Sequence, residues 1–431
     1  MSAAAGVEIG TTTTAAAATA AALPRVRAGW IAAFATAWLG AWMGQMVPLQ
    51  LLLPLQIATQ NRQDDWIRSL VAFGAVTAVA GAFAVVAYPV VGALSDRTTS
   101  RFGRRRPWVL AGAVLSGVGL VGLGQAHHVV GTTVFWTLAV VGFCTASAAL
   151  SAVLGDRVPE HQRGLVSGWI SAPNAVGLLL GLVLATTVFT TIPSGYTAMG
   201  VAAVVLTVPF LLMMRERPLS AAEAAQLPRL RGRVLLESLW VNPRRHPDFA
   251  WTITSRVLVN LGNACATTML IYFFTYQLHL ADPAGFLVAT TLLYMVLTFT
   301  ASIAFGKLSD VIGRRRLFVC WAGVAQGLSA VILVFWPSTT TAWVGAVLLG
   351  LGQGCFFAVD QALVTDVLPS ALSRGKDVGI MNIAFAVPQA LGPLVGAGAV
   401  VLFGGFAGLF IASGLLGLLG GFAVYRVRSV P

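Results

Sequence analysis

Apolar runs recur along the whole chain, and this constrains the fold more than any other feature. A helix needs about 20 apolar residues to cross a ~30 Å hydrocarbon core. Runs of that kind lie near 30–57, 67–94, 108–126, 132–154, 164–190 and 196–214. A second series lies near 249–278, 284–305, 317–336, 342–367, 377–403 and 405–425. In lipid no water satisfies the backbone, so helices are the economical solution. A β-barrel would show short alternating segments, and the chain carries none. Only 10% of residues are charged, against about 25% in soluble domains. The pattern predicts an all-α membrane protein of twelve transmembrane helices in two six-helix bundles.

The polar stretches set the domain organisation. Residues 1–27, rich in Ala and Thr, read as a disordered cytoplasmic tail. Residues 28–214 form an N-terminal bundle and 249–425 a C-terminal bundle. Between them 215–248, rich in Pro, Arg and Glu, read as a cytoplasmic linker, and 426–431 as a second cytoplasmic tail.

The formal charge is +12, and its placement matters more than its size. With twelve spans, all Lys and Arg residues except Arg62, Arg68 and Arg256 fall on one side. Cytoplasmic loops carry such an excess, so both termini are expected in the cytoplasm and the protein in the cytoplasmic (inner) membrane. The basic loops suit anionic lipid. No aromatic-basic interleaving accompanies them, so nucleic acid is not an expected partner. Cys144, Cys265, Cys320 and Cys355 each stand alone in an apolar run and read as core residues. No HExxH, GxSxG or Walker loop is present, so neither a metal site nor an enzymatic activity is expected.

The halves repeat one another. Between spans 2 and 3 the chain reads GALSDRTTSRFGRRRP, with Gly92, Asp96, Arg97, Gly103, Arg104 and Arg105. Between spans 8 and 9 it reads GKLSDVIGRRR, with Gly306, Asp310, Gly313, Arg314 and Arg315. The frame is shared, and the first copy carries four extra residues between Asp and Gly. A second pair sets Asp156, Arg163 and Gly168 against Asp366, Arg374 and Gly379. Two matches at a nearly constant offset point to parallel repeats. Gly92 and Gly306 would let a helix end pack closely on its neighbour. Asp96 and Asp310 can hold cations or cap a helix N-terminus. The arginines can pair with Asp156 and Asp366, closing the cytoplasmic side in one state and releasing it in another.

These loops resemble the signature loop of the major facilitator superfamily. The longer copy, SDRTTSRFGRRRP, resembles that of the glycoside–pentoside–hexuronide and sucrose-transporter branch. The resemblance covers nearly all of residues 28–425. It implies alternating access by two rocking six-helix bundles, driven by a proton or sodium gradient rather than a bound cofactor. It also implies that the first, fourth, seventh and tenth helices line the central cavity.

Ionisable residues deep in a span are functional candidates by default. Arg256 in span 7 and Asp360 in span 10 each lie about seven residues, roughly 10 Å, from the cytoplasmic boundary. A paired buried charge is less costly than a lone one, so the two are expected to meet in at least one state. Burial favours a protonated carboxyl and a facing guanidinium favours the ionised form. Making and breaking the pair would therefore load and unload a proton. Gln45, Asn260, Asn263, Gln353 and Gln361 are candidates for contact with the solute.

Two transport functions fit this reading. One is proton-coupled uptake of a sugar-like solute, suggested by the first signature loop. The other is proton-coupled efflux of a drug or secondary metabolite, suggested by apolar cavity helices with many aromatics (12 Trp and 23 Phe). The expected partners are the lipid bilayer, a small-molecule solute and a coupling cation. Each two-bundle unit encloses its own path, so a monomer is expected.

Overall fold

A computed structural model describes residues 25–61, 65–214, 216, 247–367 and 374–427. Among them, six helical rods precede the 217–246 stretch and six follow it. Rod α1 runs over Ala28–Val47 and continues through a π turn, Pro48–Leu52, into Leu53–Gln60. Then come α2 (Trp66–Ser95), α3 (Arg106–Gly124), α4 (Val129–Arg157) and α5 (Glu160–Thr187). Rod α6 joins Ile192–Val205 to Val208–Met213. Rod α7 starts at Pro247–Thr268 and passes through Leu270–Tyr272 into a π turn, Phe273–Gln277. It is followed by α8 (Pro283–Ile312), α9 (Arg315–Phe335), α10 (Thr339–Val367), α11 (Arg374–Phe403) and α12 (Phe406–Ala423).

The breaks follow from local chemistry. Pro48 and Pro54 lack the N–H that an uninterrupted α-helix needs, and they bracket the π turn of α1. The equivalent rod of the second half, α7, also ends in a π turn, without proline. Asp65 caps α2, accepting the Arg68 N–H at 3.0 Å. Asp282 caps α8 in the same way, accepting from Gly285 at 2.8 Å.

Small residues let the rods approach closely, as lipid-embedded helices require. A Cβ added at Gly112 of α3 would lie 2.3 Å from the backbone N of Ala146 on α4. In the second half, one added at Gly323 of α9 would lie 2.4 Å from the Gly417 carbonyl on α12. The outward faces carry Phe83, Val86, Phe299 and Leu402, all well exposed. An apolar surface so extensive belongs in lipid. Among the described residues, nine helices are long and apolar enough to cross a membrane. Shorter apolar stretches, Ala172–Thr187 and Val387–Phe403, lie in α5 and α11. This is a multi-pass membrane fold.

The two halves meet far from the basic loops. Rod α2 packs along α11, with Gly74 against Leu394 and Gly81 against Ala390. At the end opposite the basic loops, the Trp66 ring lies 4.9 Å from Phe406 and 6.1 Å from Tyr276, stacked on both. Beside them the Tyr272 hydroxyl donates to the Pro54 carbonyl at 3.0 Å. These contacts tie α2 and α1 of the first half to α12 and α7 of the second.

Candidate functional site

Arg256 on α7 and Asp360 on α10 stand at the heart of the second half. Arg256 Nη1 lies 2.7 Å from Asp360 Oδ2, and the residues are 8% and 3% exposed. Burial at this level makes a counter-charge important to each. Asn260, one turn on from Arg256, folds back and donates to the Arg256 carbonyl at 2.8 Å. Asn260 is therefore committed to its own helix.

Moving away from the pair, the same two helices change character. Asn263 and Gln353 lie seven residues from Arg256 and Asp360 respectively, and both are buried. Tyr294 of α8 stands beside Asn263, and its carbonyl accepts from the Thr298 hydroxyl at 2.8 Å. Beyond the amides opens a small recess of about 50 Å³ between the halves, lined mainly by α7, α8 and α10 with Gln50 and Leu178 from the first half. Gln45, half-buried on α1, does not line this recess.

The basic end holds a second polar cluster. Arg105 is 4% exposed and pairs with Asp96 and, through Nε, with Asp156 at 3.1 Å. Its Nη1 also donates to Ser95 Oγ. Arg104 Nη2 joins the same Asp156 oxygen at 2.6 Å. These pairs tie the α2–α3 loop to the end of α4, all within the first half. In this conformation they brace one bundle and do not bridge the two. Arg97 is half-buried and makes no ion pair among the described residues.

One expectation is corrected here. Gly92 does not let the end of α2 pack on a neighbour, because a Cβ there would meet nothing within 4 Å. At Gly306 an added Cβ would make only an ordinary 3.6 Å contact with Ala358. The residues that need to be glycine are Gly103 and Gly313, with φ of +102° and +70°. Both occupy the left-handed region that side chains disfavour. Capping of α3 falls not to Asp96 but to Glu216, whose carboxylate accepts the N–H of Arg105 at 2.8 Å and of Arg106 at 3.2 Å. Arg314 precedes α9 and is exposed, and Arg315 opens that helix. The side chains of Arg163, Asp310, Gln361, Asp366 and Arg374 lie outside the described residues, as do the 1–24 tail and the 217–246 linker.

A family model described as MFS/sugar transport protein matches residues 63–415. The chain belongs to the major facilitator superfamily. This major facilitator is 24% identical over 308 residues to a lactose permease of Lactobacillus delbrueckii subsp. bulgaricus, a match covering 65% of this chain. It spans about half, 47%, of that relative's length. It is 26% identical to an uncharacterised MFS-type transporter of Mycobacterium tuberculosis, covering 84% of this chain and 85% of the relative. A crystal structure of a peptide transporter in complex with sulfate has the same fold, with a TM-score of 0.68 at 16% identity. That match covers 94% of this chain and 96% of the other.

Membership makes this facilitator a membrane transport protein rather than an enzyme. Sequence reasoning singled out its charged pair and signature loops but passed over Glu216, Gln50 and Tyr272. Glu216 looked like one more charge in a polar linker. Its position directly after a helical span was the available signal. Gln50 and Tyr272 carried no comparable signal, since each sits amid apolar residues near a helix distortion that only the fold reveals.

Proposed function

We propose that this facilitator is a secondary active transporter of a sugar-like small solute, working by alternating access with a proton as coupling ion. Asp360 is the proton site in this reading. The single observation that carries it is the buried Arg256–Asp360 pair, 2.7 Å apart on α7 and α10. Protonation of the carboxylate removes the attraction between Asp360 and the buried Arg256 guanidinium, which favours a rearrangement of α7 against α10. The sugar-transport description of the family and the lactose permease relative support the solute class. The basic loops support a cytoplasmic-membrane location with both termini inside.

The test is uptake into proteoliposomes under an imposed pH gradient, using radiolabelled mono- and disaccharides. Gradient-driven accumulation is expected in the native protein and is expected to vanish in Asp360→Asn, with downhill exchange retained. Full accumulation by Asp360→Asn would overturn the coupling role. The apolar recess favours a second reading, proton-coupled efflux of a drug or secondary metabolite. Extrusion of lipophilic compounds without any sugar exchange in the same vesicles would select it.

A further inference from the structure

The chain leaves α12 in a short 3-10 turn, Val424–Arg426, and Val427 follows it. In a 3-10 turn residues i and i+3 fall on one side. Val424 and Val427 are fully buried, while Tyr425 and Arg426 between them are exposed. The turn meets α7, α9 and α12. Both valines belong to one apolar cluster with Val259 of α7, Phe318 of α9, and Phe356 and Val359 of α10. Val359 directly precedes Asp360, and Val259 lies three residues after Arg256. This strap therefore seats in the same cluster that flanks the charged pair, at the basic end of the bundle.

The strap is held differently from the helix it follows. Rod α12 is locked to α7, where Ser255 Oγ donates to the Gly420 carbonyl at 2.7 Å. A Cβ on Gly420 would lie 2.8 Å from the Val259 backbone N. Past Ala423 the hold changes. The Val427 N–H returns to the Val424 carbonyl at 3.0 Å, and among the described residues no hydrogen bond from the strap backbone reaches α7, α9 or α10. The Arg426 guanidinium sits over the Trp251 ring of α7, 5.7 Å from its centre. A segment held by two apolar side chains and one exposed cation–π contact opens more readily than a packed helix.

The first half has a counterpart that is latched. After α6, Met214 is buried in a cluster with Leu150, Val153 and Phe210. Glu216 then fastens the chain to the start of α3. No acid stands among Val424–Val427 to do the same. Leu150 lies six residues before Asp156, as Asp360 lies six before Asp366. The latched segment thus shares its cluster with a leucine, at the position where the second half carries its buried carboxylate.

We infer that Val424–Val427 is a releasable cover on the basic end of the second bundle, which shuts Asp360 from water when seated and opens it when released. The inference builds on the reading of Asp360 as the proton site. Access to its carboxylate is nevertheless measured apart from any coupling, so the two stand or fall on different experiments.

The experiment uses the purified full chain in nanodiscs. A water-soluble carbodiimide labels Asp360, read by peptide mass spectrometry. Brief trypsin treatment reads release of the strap as cleavage after Arg426. An amide in place of the Val427 methyl groups loses its hydration without partners. Val427→Gln is therefore expected to raise cleavage after Arg426 and to speed labelling of Asp360 by at least roughly tenfold. Trp251→Ala leaves the buried cluster whole and is expected to move both readouts the same way, by less. Should Val427→Gln not fold, Trp251→Ala carries the test. Met214→Gln unseats the counterpart in the first half and is expected to leave Asp360 labelling unchanged. More cleavage without faster labelling overturns the inference, because the strap is then no barrier to Asp360. Unchanged cleavage also overturns it, because these contacts then do not seat the strap. Labelling raised equally by Met214→Gln would mean general loosening and would overturn it as well.

Discussion

Glu216 stands so close to Gly103 that a Cβ on the glycine would lie 2.4 Å from the glutamate side chain. The same carboxylate accepts two N–H groups at the start of α3. The chain leaving α6 is thereby fastened to the signature loop. Loss of a helix N-terminal acceptor costs about 0.5–2 kcal/mol, and Glu216→Ala is expected to destabilise the protein by that amount. Glu216→Gln keeps an acceptor and should cost less. Gly103→Ala faces a left-handed backbone, worth about 1–2 kcal/mol, plus the collision. Truncating Glu216 relieves the collision, so the two changes should be less than additive. Thermal unfolding of both singles and the double in detergent checks this, and strict additivity would disprove the contact.

The Arg256–Asp360 pair makes a stability prediction separate from its transport role. Removing one partner of a buried pair costs about 3–5 kcal/mol, because the other charge loses its closest counter-charge. Asp360→Leu and Arg256→Leu should each be strongly destabilised. The double variant, with both charges gone, should recover most of that loss and still fail to accumulate solute against a gradient. If the double is as unstable as the sum of the singles, the two charges do not compensate one another.

How much of this could be read from the chain depends on the kind of signal. The rods were legible because apolar length alone sets membrane-spanning helices, and the repeat was legible because Gly, Asp and Arg recur in one frame. The approach of Arg256 to Asp360 followed from two isolated charges at equal depth. The partners within the signature cluster were harder to place. Arg104 and Arg105 could reach several carboxylates, and only the fold shows them turned toward Asp96 and Asp156 of their own half. Gly92 illustrates the limit from the other side. A glycine at a helix end suggests close packing, yet here its neighbourhood is open. The recess was not legible at all, since Leu, Phe and Thr in a lipid-embedded helix look alike whether they face lipid, a neighbour or a cavity.

The bond from the Tyr272 hydroxyl to the Pro54 carbonyl ties the π-turn ends of α1 and α7 together across the halves. A neutral hydrogen bond contributes about 1 kcal/mol net, so Tyr272→Phe should shift the balance toward opening at this end by roughly fivefold. Trp66→Ala, which removes the ring stacked between Phe406 and Tyr276, should shift it further. Both are read as the rate at which a hydrophilic maleimide labels Leu270→Cys inside the recess. Unchanged labelling in both variants would mean that these contacts do not hold this end shut.

The last prediction concerns the seam between the halves, where α2 and α11 run side by side. A Cβ on Gly81 would lie 2.4 Å from the Ala390 Cβ, far inside contact distance. The rods cannot accept it without separating, and overpacking of this kind costs about 1–3 kcal/mol. In a two-bundle carrier that cost falls on the state in which α2 and α11 touch here. Gly81→Ala should therefore lower thermal stability and depopulate this conformation, raising maleimide labelling of Leu270→Cys. Ala390→Gly removes the opposing methyl group and should restore both readouts when combined with Gly81→Ala. Ala390→Gly alone should have a small effect, limited to its helix propensity, about 1 kcal/mol. Rescue by the double variant identifies the Gly81–Ala390 contact as the cause. If stability stays low when both changes are present, the strain lies within α2 and not between the halves.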